Sequence, residues 1–221
     1  MSQFAVWLDS FFSVFDRTIL EFWHSLAVSS GSFLSPLMEL ITLTGDKGIA
    51  MILLGLILAL FPKTRKAGFC VVLAVGCGAL ITNVTLKPLI ARVRPYEASA
   101  LYREWWQLVG ASTESDLSFP SGHATATAAA LMGLTFARGK SYLWLSLPYI
   151  ALMCASRNYL MVHYPSDVLA GAIAGTLGAT AAFFIVRSIY NRIQRNPQSK
   201  ISVFILNADI CNVIKKPSKS S

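Results

Sequence analysis

Five apolar runs separated by short polar links set the first constraint on this chain. They lie at roughly 47–61, 67–86, 123–138, 142–162 and 167–187. A helix crossing the hydrocarbon of a bilayer needs about 20 such residues and satisfies its backbone polar groups internally. Two of the runs fit comfortably. "GIAMILLGLILALF" and "ATATAAALMGLTFA" are short and need polar flanks or a thinned bilayer. Composition points the same way, with 54% hydrophobic and only 14% charged residues, where soluble domains carry about 25% charged. The runs are rich in Gly, Ala, Ser and Thr, which suits close helix packing in lipid. The expected fold is all-α, a multi-pass membrane bundle of five or six helices.

The stretch 1–31 mixes aromatics with Asp9, Asp16, Arg17, Glu21 and His24. It reads as an amphipathic helix lying in the membrane interface. Residues 32–44 contain Glu39 and are too short to span alone; joined to the preceding stretch they would make a poor extra span. The expected organisation is an interfacial region at 1–44, a membrane-embedded catalytic domain at 45–190 and a basic cytoplasmic tail at 191–221. The N-terminus has no basic leader before an apolar stretch, so no cleavable signal peptide is expected. Cys70, Cys77 and Cys154 sit inside apolar runs and Cys211 stands alone near the end, which fits neither a disulfide framework nor a zinc site. The tail's apolar patch "ISVFILNADICNVI" is too short to span, and no function attaches to it.

The net charge of +8 reads as an orientation signal, not as a nucleic-acid footprint. "PKTRK" at 62–66, "ARGK" at 137–140 and the segment from Arg187 onward are basic, and the positive-inside rule puts all three in the cytoplasm. Five spans then alternate correctly. The N-terminus, the long loop 87–122 and the turn around His163 face outward.

Three places on that outer side break the apolar pattern. In "LKPLIARVRP", Lys87 and Arg94 are seven residues apart, nearly two turns, so they share a face if the piece is helical. Pro88 suits a first turn and Pro95 a stop. The plain reading is a snorkelling basic collar. In "PSGH", Ser121 can cap a helix, Gly122 lets a ligand approach the backbone, and His123 stands beside the free N–H groups that bind phosphate. The plain reading is a capped helix start. In "ASRNYLMVHYPSDVLAG", Arg157 lies inside an apolar run, where a charge is a functional candidate by default. Pro165 separates His163, ending one span, from Asp167, beginning the next. The plain reading is a buried Arg157–Asp167 ion pair. Together the three supply cations, a helix N-terminus, two histidines and a carboxylate. That is an anion pocket with a nucleophile and an acid. Ser121 and His163 are both candidate nucleophiles. His163 is favoured because it is neutral near pH 7 and a capping hydroxyl is already engaged.

Written as K-x6-R-P, P-S-G-H and S-R-x5-H-x3-D, these stretches resemble the three-part signature of the type 2 phosphatidic acid phosphatase family. These are membrane lipid phosphate phosphatases related to vanadium haloperoxidases. The resemblance covers about residues 45–187, and every fixed position matches. It implies that His163 forms a phosphohistidine and that Asp167 orients it. His123 would be the acid for the leaving group and then the base for water. Lys87, Arg94, Ser121, Gly122 and Arg157 would bind the phosphoryl group. It implies no metal and no cofactor, and no acidic cluster suited to magnesium is evident in the sequence.

The implied partner is a membrane lipid with a phosphate or pyrophosphate headgroup. Phosphatidic acid, lysophosphatidic acid, phosphatidylglycerol phosphate and undecaprenyl pyrophosphate all remain open. An outward-facing site at the plasma or inner membrane suits recycling of the last. Transfer to an acceptor other than water, or a non-catalytic lipid-binding or transport protein, are the other readings. Oligomeric state is open.

Overall fold

A computed structural model describes residues 2–199 together with Ser202, Val203 and Ile205. Cys211 and the rest of the apolar patch expected at 201–214 lie outside the described residues. Among the described residues the protein is helical, without strands. Helices α1 (Gln3–Phe11) and α2 (Ser13–Ser29) meet at Phe12, and α3 (Ser35–Leu43) leads into α4 (Ile49–Leu60). Helix α5 (Arg65–Ala79) continues as a π-helical stretch, Leu80–Leu86, and then as the short α6 (Lys87–Ile90). Two outer helices follow, α7 (Pro95–Ala98) and α8 (Ala100–Val109). The chain ends in α9 (Gly122–Arg138), α10 (Leu143–Tyr159) and α11 (Pro165–Arg195).

Among the described residues, three stretches are long and apolar enough to cross a membrane: Ser35–Leu60, Arg65–Ala98 and Pro165–Arg195, with mean hydropathies of 1.8, 2.1 and 1.9. The first joins α3, left open by the sequence, to the short run after it. Left-handed Gly48, φ 69°, makes the break between them. Helices α9 and α10 have 17 residues each. Leu53, Leu56 and Ile57 of α4 and Ile173, Leu177 and Phe184 of α11 are exposed. Apolar side chains exposed in such numbers fit lipid contact.

One local expectation fails. Lys87 and Arg94 do not share a helix face, because the helix stops at Ile90 and Ala91 turns left-handed at φ 53°. Pro95 is not a stop; it opens α7. The physical reason is that the residue before a proline avoids helical geometry, while proline's fixed φ suits a first turn. Arg94 therefore stands as an extended N-cap, φ −73° and ψ 154°.

Helix α9 is the centre of the bundle. Ala124 to Leu131 are buried without interruption, against α5 on one side and α11 on the other. The approach is close enough to require glycine. A Cβ on Gly171 would lie 2.5 Å from the Ser121 carbonyl oxygen, and one on Gly175 2.3 Å from that of Thr125. Steps of four on both helices mean that α9 and α11 run parallel, with their N-termini side by side.

Gly175 and a glycine in open space, Gly76 of α5, predict opposite outcomes. Gly175→Ala forces the two backbones apart and should sharply lower the yield of folded protein in detergent. Gly76→Ala, where a Cβ meets nothing within 4 Å, should purify like the wild type. Fluorescence size-exclusion profiles compare them, and equal yields would contradict the packing described.

Candidate active site

The parallel contact sets two helix starts at one pole. Ser121 is extended, and its Oγ accepts the Ala124 N–H at 3.5 Å. Its own N–H donates to the Asp167 carbonyl oxygen at 3.1 Å. That bond ties the start of α9 to the first turn of α11. Both helix dipoles thus point their positive ends at the same region. A Cβ on Gly122 would lie 3.9 Å from Lys87 Nζ, so the bare backbone of α9 and the lysine meet there.

The cations of the three sequence stretches converge, but they are not empty-handed. Gly110 ends α8 in the left-handed region, φ 72°, and the chain then runs outside helix to Ser121. In this loop Glu114 exchanges hydrogen bonds with the Tyr96 hydroxyl. Asp116 pairs with both Lys87 and Arg94, and Glu114 pairs with Arg157. Burial raises the proton affinity of both carboxylates. For Glu114 the Arg157 guanidinium outweighs that, and for Asp116 the Lys87 ammonium and Arg94 do, so both are held below the ordinary carboxylate range. Carboxylate oxygens occupy the donors that a phosphate would use. The Arg157–Asp167 pair weighed as an alternative does not form: Arg157 pairs with Glu114, and Asp167 with Arg92.

His163 lies in the five-residue link between α10 and α11, almost fully buried. Arg94 Nη1 stands 3.2 Å from His163 Nε2 and donates to the Val162 carbonyl at 2.7 Å. A guanidinium can only donate. Nε2 is therefore the acceptor, and the tautomer's proton sits on Nδ1, facing Asp167 Oδ2 at 3.5 Å. That separation is long for a hydrogen bond, and Nδ1 has no other partner. Burial, with Arg94 and Arg157 nearby, holds the imidazole well below its usual pKa, so it is neutral.

Asp167 is anchored on every side. Oδ1 accepts from Arg92 at 2.6 Å, and Oδ2 accepts from the Ser118 hydroxyl at 2.5 Å and the Tyr164 N–H at 3.0 Å. Arg92 carried no weight in the sequence reading. The signal was a third cation in "LKPLIARVRP", between Lys87 and Arg94. Glu114, Asp116 and Ser118 were missed because nothing local marks a polar loop as folded onto a pocket.

A cavity of about 160 Å³ is lined by Lys87, Arg94, Gly122, His123, Asp116 and His163. A second, of about 340 Å³, shares Asp46, Glu114 and His123 with the first and adds Arg157, Glu39 and Leu43. Six of the eight sequence-derived residues thus surround two adjoining chambers with His123 between them. Ser121 and Asp167 line neither; they stand behind, as cap and as support. Among the described residues no cluster of three His, Cys, Asp or Glu side chains is arranged to hold a metal.

The PAP2 superfamily model matches residues 66–193, more than half of the chain. The chain belongs to the PAP2 superfamily. Within it, the chain is 37% identical over 142 residues to the decaprenylphosphoryl-5-phosphoribose phosphatase of Mycobacterium tuberculosis, covering 61% of this chain and 71% of that one. It is 30% identical over 137 residues to the lipid A 4'-phosphatase of Bacteroides thetaiotaomicron, covering 58% and 60%. Among solved structures, the transmembrane PAP2-type phosphatidylglycerolphosphate phosphatase of Bacillus subtilis superposes with a TM-score of 0.56 at 25% identity, covering 87% of this chain and 98% of that one. The family match begins later than the stretch on which the sequence resemblance was drawn.

A PAP2 pocket whose cations are engaged by its own loop should bind anions better when the loop loses charge. Asp116→Asn should tighten vanadate binding, read by calorimetry, about two- to fivefold, as expected for a partly exposed ion pair. Weaker binding would mean that Asp116 organises the cations and does not compete with the anion.

Proposed function

We propose that the protein is a metal-independent lipid phosphate phosphatase working through a phosphohistidine, with its site on the extracytoplasmic side. The observation that carries this reading is His163 Nε2, an acceptor facing Arg94 in a chamber with Lys87 and a helix N-terminus. A phosphoryl group held by those donors would present phosphorus to that nitrogen. The lone pair of Nε2 attacks phosphorus, and the bond to the lipid oxygen breaks. Negative charge brought in by the phosphate favours a protonated His123, which gives its proton to the leaving oxygen. His123 then takes a proton from water, whose oxygen attacks phosphorus. The P–N bond breaks, and inorganic phosphate is released. Lys87, Arg94 and Arg157 offset the charge that develops on the equatorial oxygens.

The substrate is a lipid whose tails stay in the bilayer and whose phosphate or diphosphate reaches the pocket. The named activities of the relatives, on decaprenylphosphoryl-5-phosphoribose, lipid A and phosphatidylglycerolphosphate, support that class without choosing within it. Burial of the reacting groups beside the apolar bundle supports it too.

Sidedness follows from charge. Arg138 Nη1 donates to the Lys63 carbonyl at 2.9 Å, and Lys66 lies 5.9 Å from the Tyr190 ring centre. The three basic segments thus gather at one end of the bundle, and the site sits at the other end of α9 and α11. By the positive-inside rule the basic end is cytoplasmic.

Two experiments bear on this. Turnover of a phosphate-labelled lipid, run in excess EDTA and quenched in alkali, should leave label on the protein that mild acid removes and that His163→Ala lacks. His123→Ala should lower turnover about 10²- to 10⁴-fold, the usual worth of acid–base catalysis. Label that resists acid and depends on Ser121 would move the nucleophile to the serine. For sidedness, a single cysteine at exposed Thr113 should react with an impermeant maleimide in intact cells, and one at exposed Lys63 only after permeabilisation. The reverse pattern would place the site in the cytoplasm.

A further inference from the structure

The N-terminal helices lie outside the family match at residues 66–193, yet they reach the innermost layer of the site. The contact is Arg92, which is 1% exposed. Its Nε donates to Asp9 Oδ1 at 2.7 Å and its Nη2 to Asp16 Oδ2 at 2.9 Å. Its Nη1 donates to Asp167 Oδ1 at 2.6 Å and to the Ser166 hydroxyl at 2.7 Å. The guanidinium lies 4.0 Å from the centre of the Tyr164 ring. Tyr164, Ser166 and Asp167 all follow His163 within four residues, so Arg92 grips the segment that presents the histidine.

Asp16 grips it a second time. Its Oδ1 accepts the Ser166 N–H at 2.8 Å, and its Oδ2 accepts the Ser166 hydroxyl at 2.7 Å. Ser166 is the second residue of α11, where a free N–H needs a partner from outside the helix. A carboxylate 150 residues away in sequence does the work of an N-cap, and its negative charge suits the helix dipole.

We propose that Asp16, supported by Asp9, is a positioning residue for the His163–Asp167 pair and acts through Arg92 and Ser166. This rests on the reading of His163 as nucleophile. The reasoning is a count of charge. An isolated Arg92–Asp167 pair would be neutral, and Asp167 would have little left to offer its histidine. Three carboxylates on one guanidinium leave the cluster with excess negative charge. Part of that excess lies on Asp167 Oδ2, beside His163 Nδ1. When Nε2 bonds to phosphorus the imidazole becomes cationic, and the excess charge stabilises it. Asp16 thus holds Asp167 in place and keeps Arg92 from neutralising it.

A contact that only held the fold would change stability or expression and leave turnover per folded molecule alone. The test uses the full chain in detergent, with whichever phosphomonoester lipid the wild type hydrolyses fastest. Asp16→Asn should lower kcat about tenfold, the size common for groups that orient a reactive histidine from one step further out. KM should not change, because Lys87, Arg94 and Arg157 are untouched. The rate of phosphoenzyme appearance after rapid mixing should fall by the same factor. Asp16→Glu should restore part of the rate, and Asp9→Asn should lose less in the same sense. Folded Asp16→Asn protein with the wild-type kcat, or with a raised KM alone, would overturn the proposal. Should Asp16→Asn fail to fold, Asp9→Asn decides, and an unchanged kcat there overturns it as well. His163→Ala and Asp167→Asn separate this idea from its premise. If they retain turnover, the reading of the site fails. If they are inactive while the Asp16 and Asp9 variants turn over like the wild type, the positioning role alone fails.

Discussion

The whole arrangement depends on how near α11 can come to α9. Backbone meets backbone at Gly171 and Gly175, where any side chain would collide with a carbonyl of α9. In lipid there is no hydrophobic force to press helices together, so dispersion at such short range is what joins them. The contact also fixes direction. The start of α9 lies against the first two turns of α11, and the Ser121 N–H reaches the Asp167 carbonyl. Two positive helix ends and the link carrying His163 thereby share one pole.

Charge at this pole is balanced in two layers. The inner layer is Arg92 with buried Asp16 and Asp167 and half-buried Asp9, with the hydrogen-bonding groups of Ser118 and Ser166 filled in around it. The outer layer is Lys87, Arg94 and Arg157 with Asp116 and Glu114 of the loop. His163 stands between them, its Nδ1 toward the inner layer and its Nε2 toward the outer one. Burying an ion costs several kcal/mol unless partners surround it, and both layers meet that demand with carboxylates. They differ in their access to solvent. The Asp116 side chain is 52% exposed, whereas that of Asp167 is 0% exposed. The outer pairs thus include a carboxylate open to solvent, while the Arg92–Asp167 pair is sealed inside the fold.

The N-terminal helices carry two different faces. Phe4, Trp7 and Phe11 stack along an exposed ridge. The opposite side carries the aspartates to Arg92. Asp9 and Asp16 belong to different helices, α1 and α2, on either side of the junction at Phe12, and in the sequence they read only as polar positions in an amphipathic stretch. The mixed polarity was legible there; the target of the two carboxylates was not.

The sequence by itself determined the class of fold, because lipid admits few structures and apolar runs of this length must be helical. It also marked Lys87, Arg94, His123, Arg157, His163 and Asp167, because charges set against apolar runs are costly and so stand out, and because their spacing matched a known signature. It could not show that Lys87 and Arg94 meet around Asp116 across a broken helix, or that Arg92 between them turns inward to partners from α1, α2 and α11. Nor could it show that Asp116 and Glu114 fill the cationic pocket, or that Asp16 caps a helix from the far end of the chain. Local pattern records what each segment prefers. Which charges meet is decided by tertiary packing, because electrostatic partners are chosen by distance in space and not by separation along the chain.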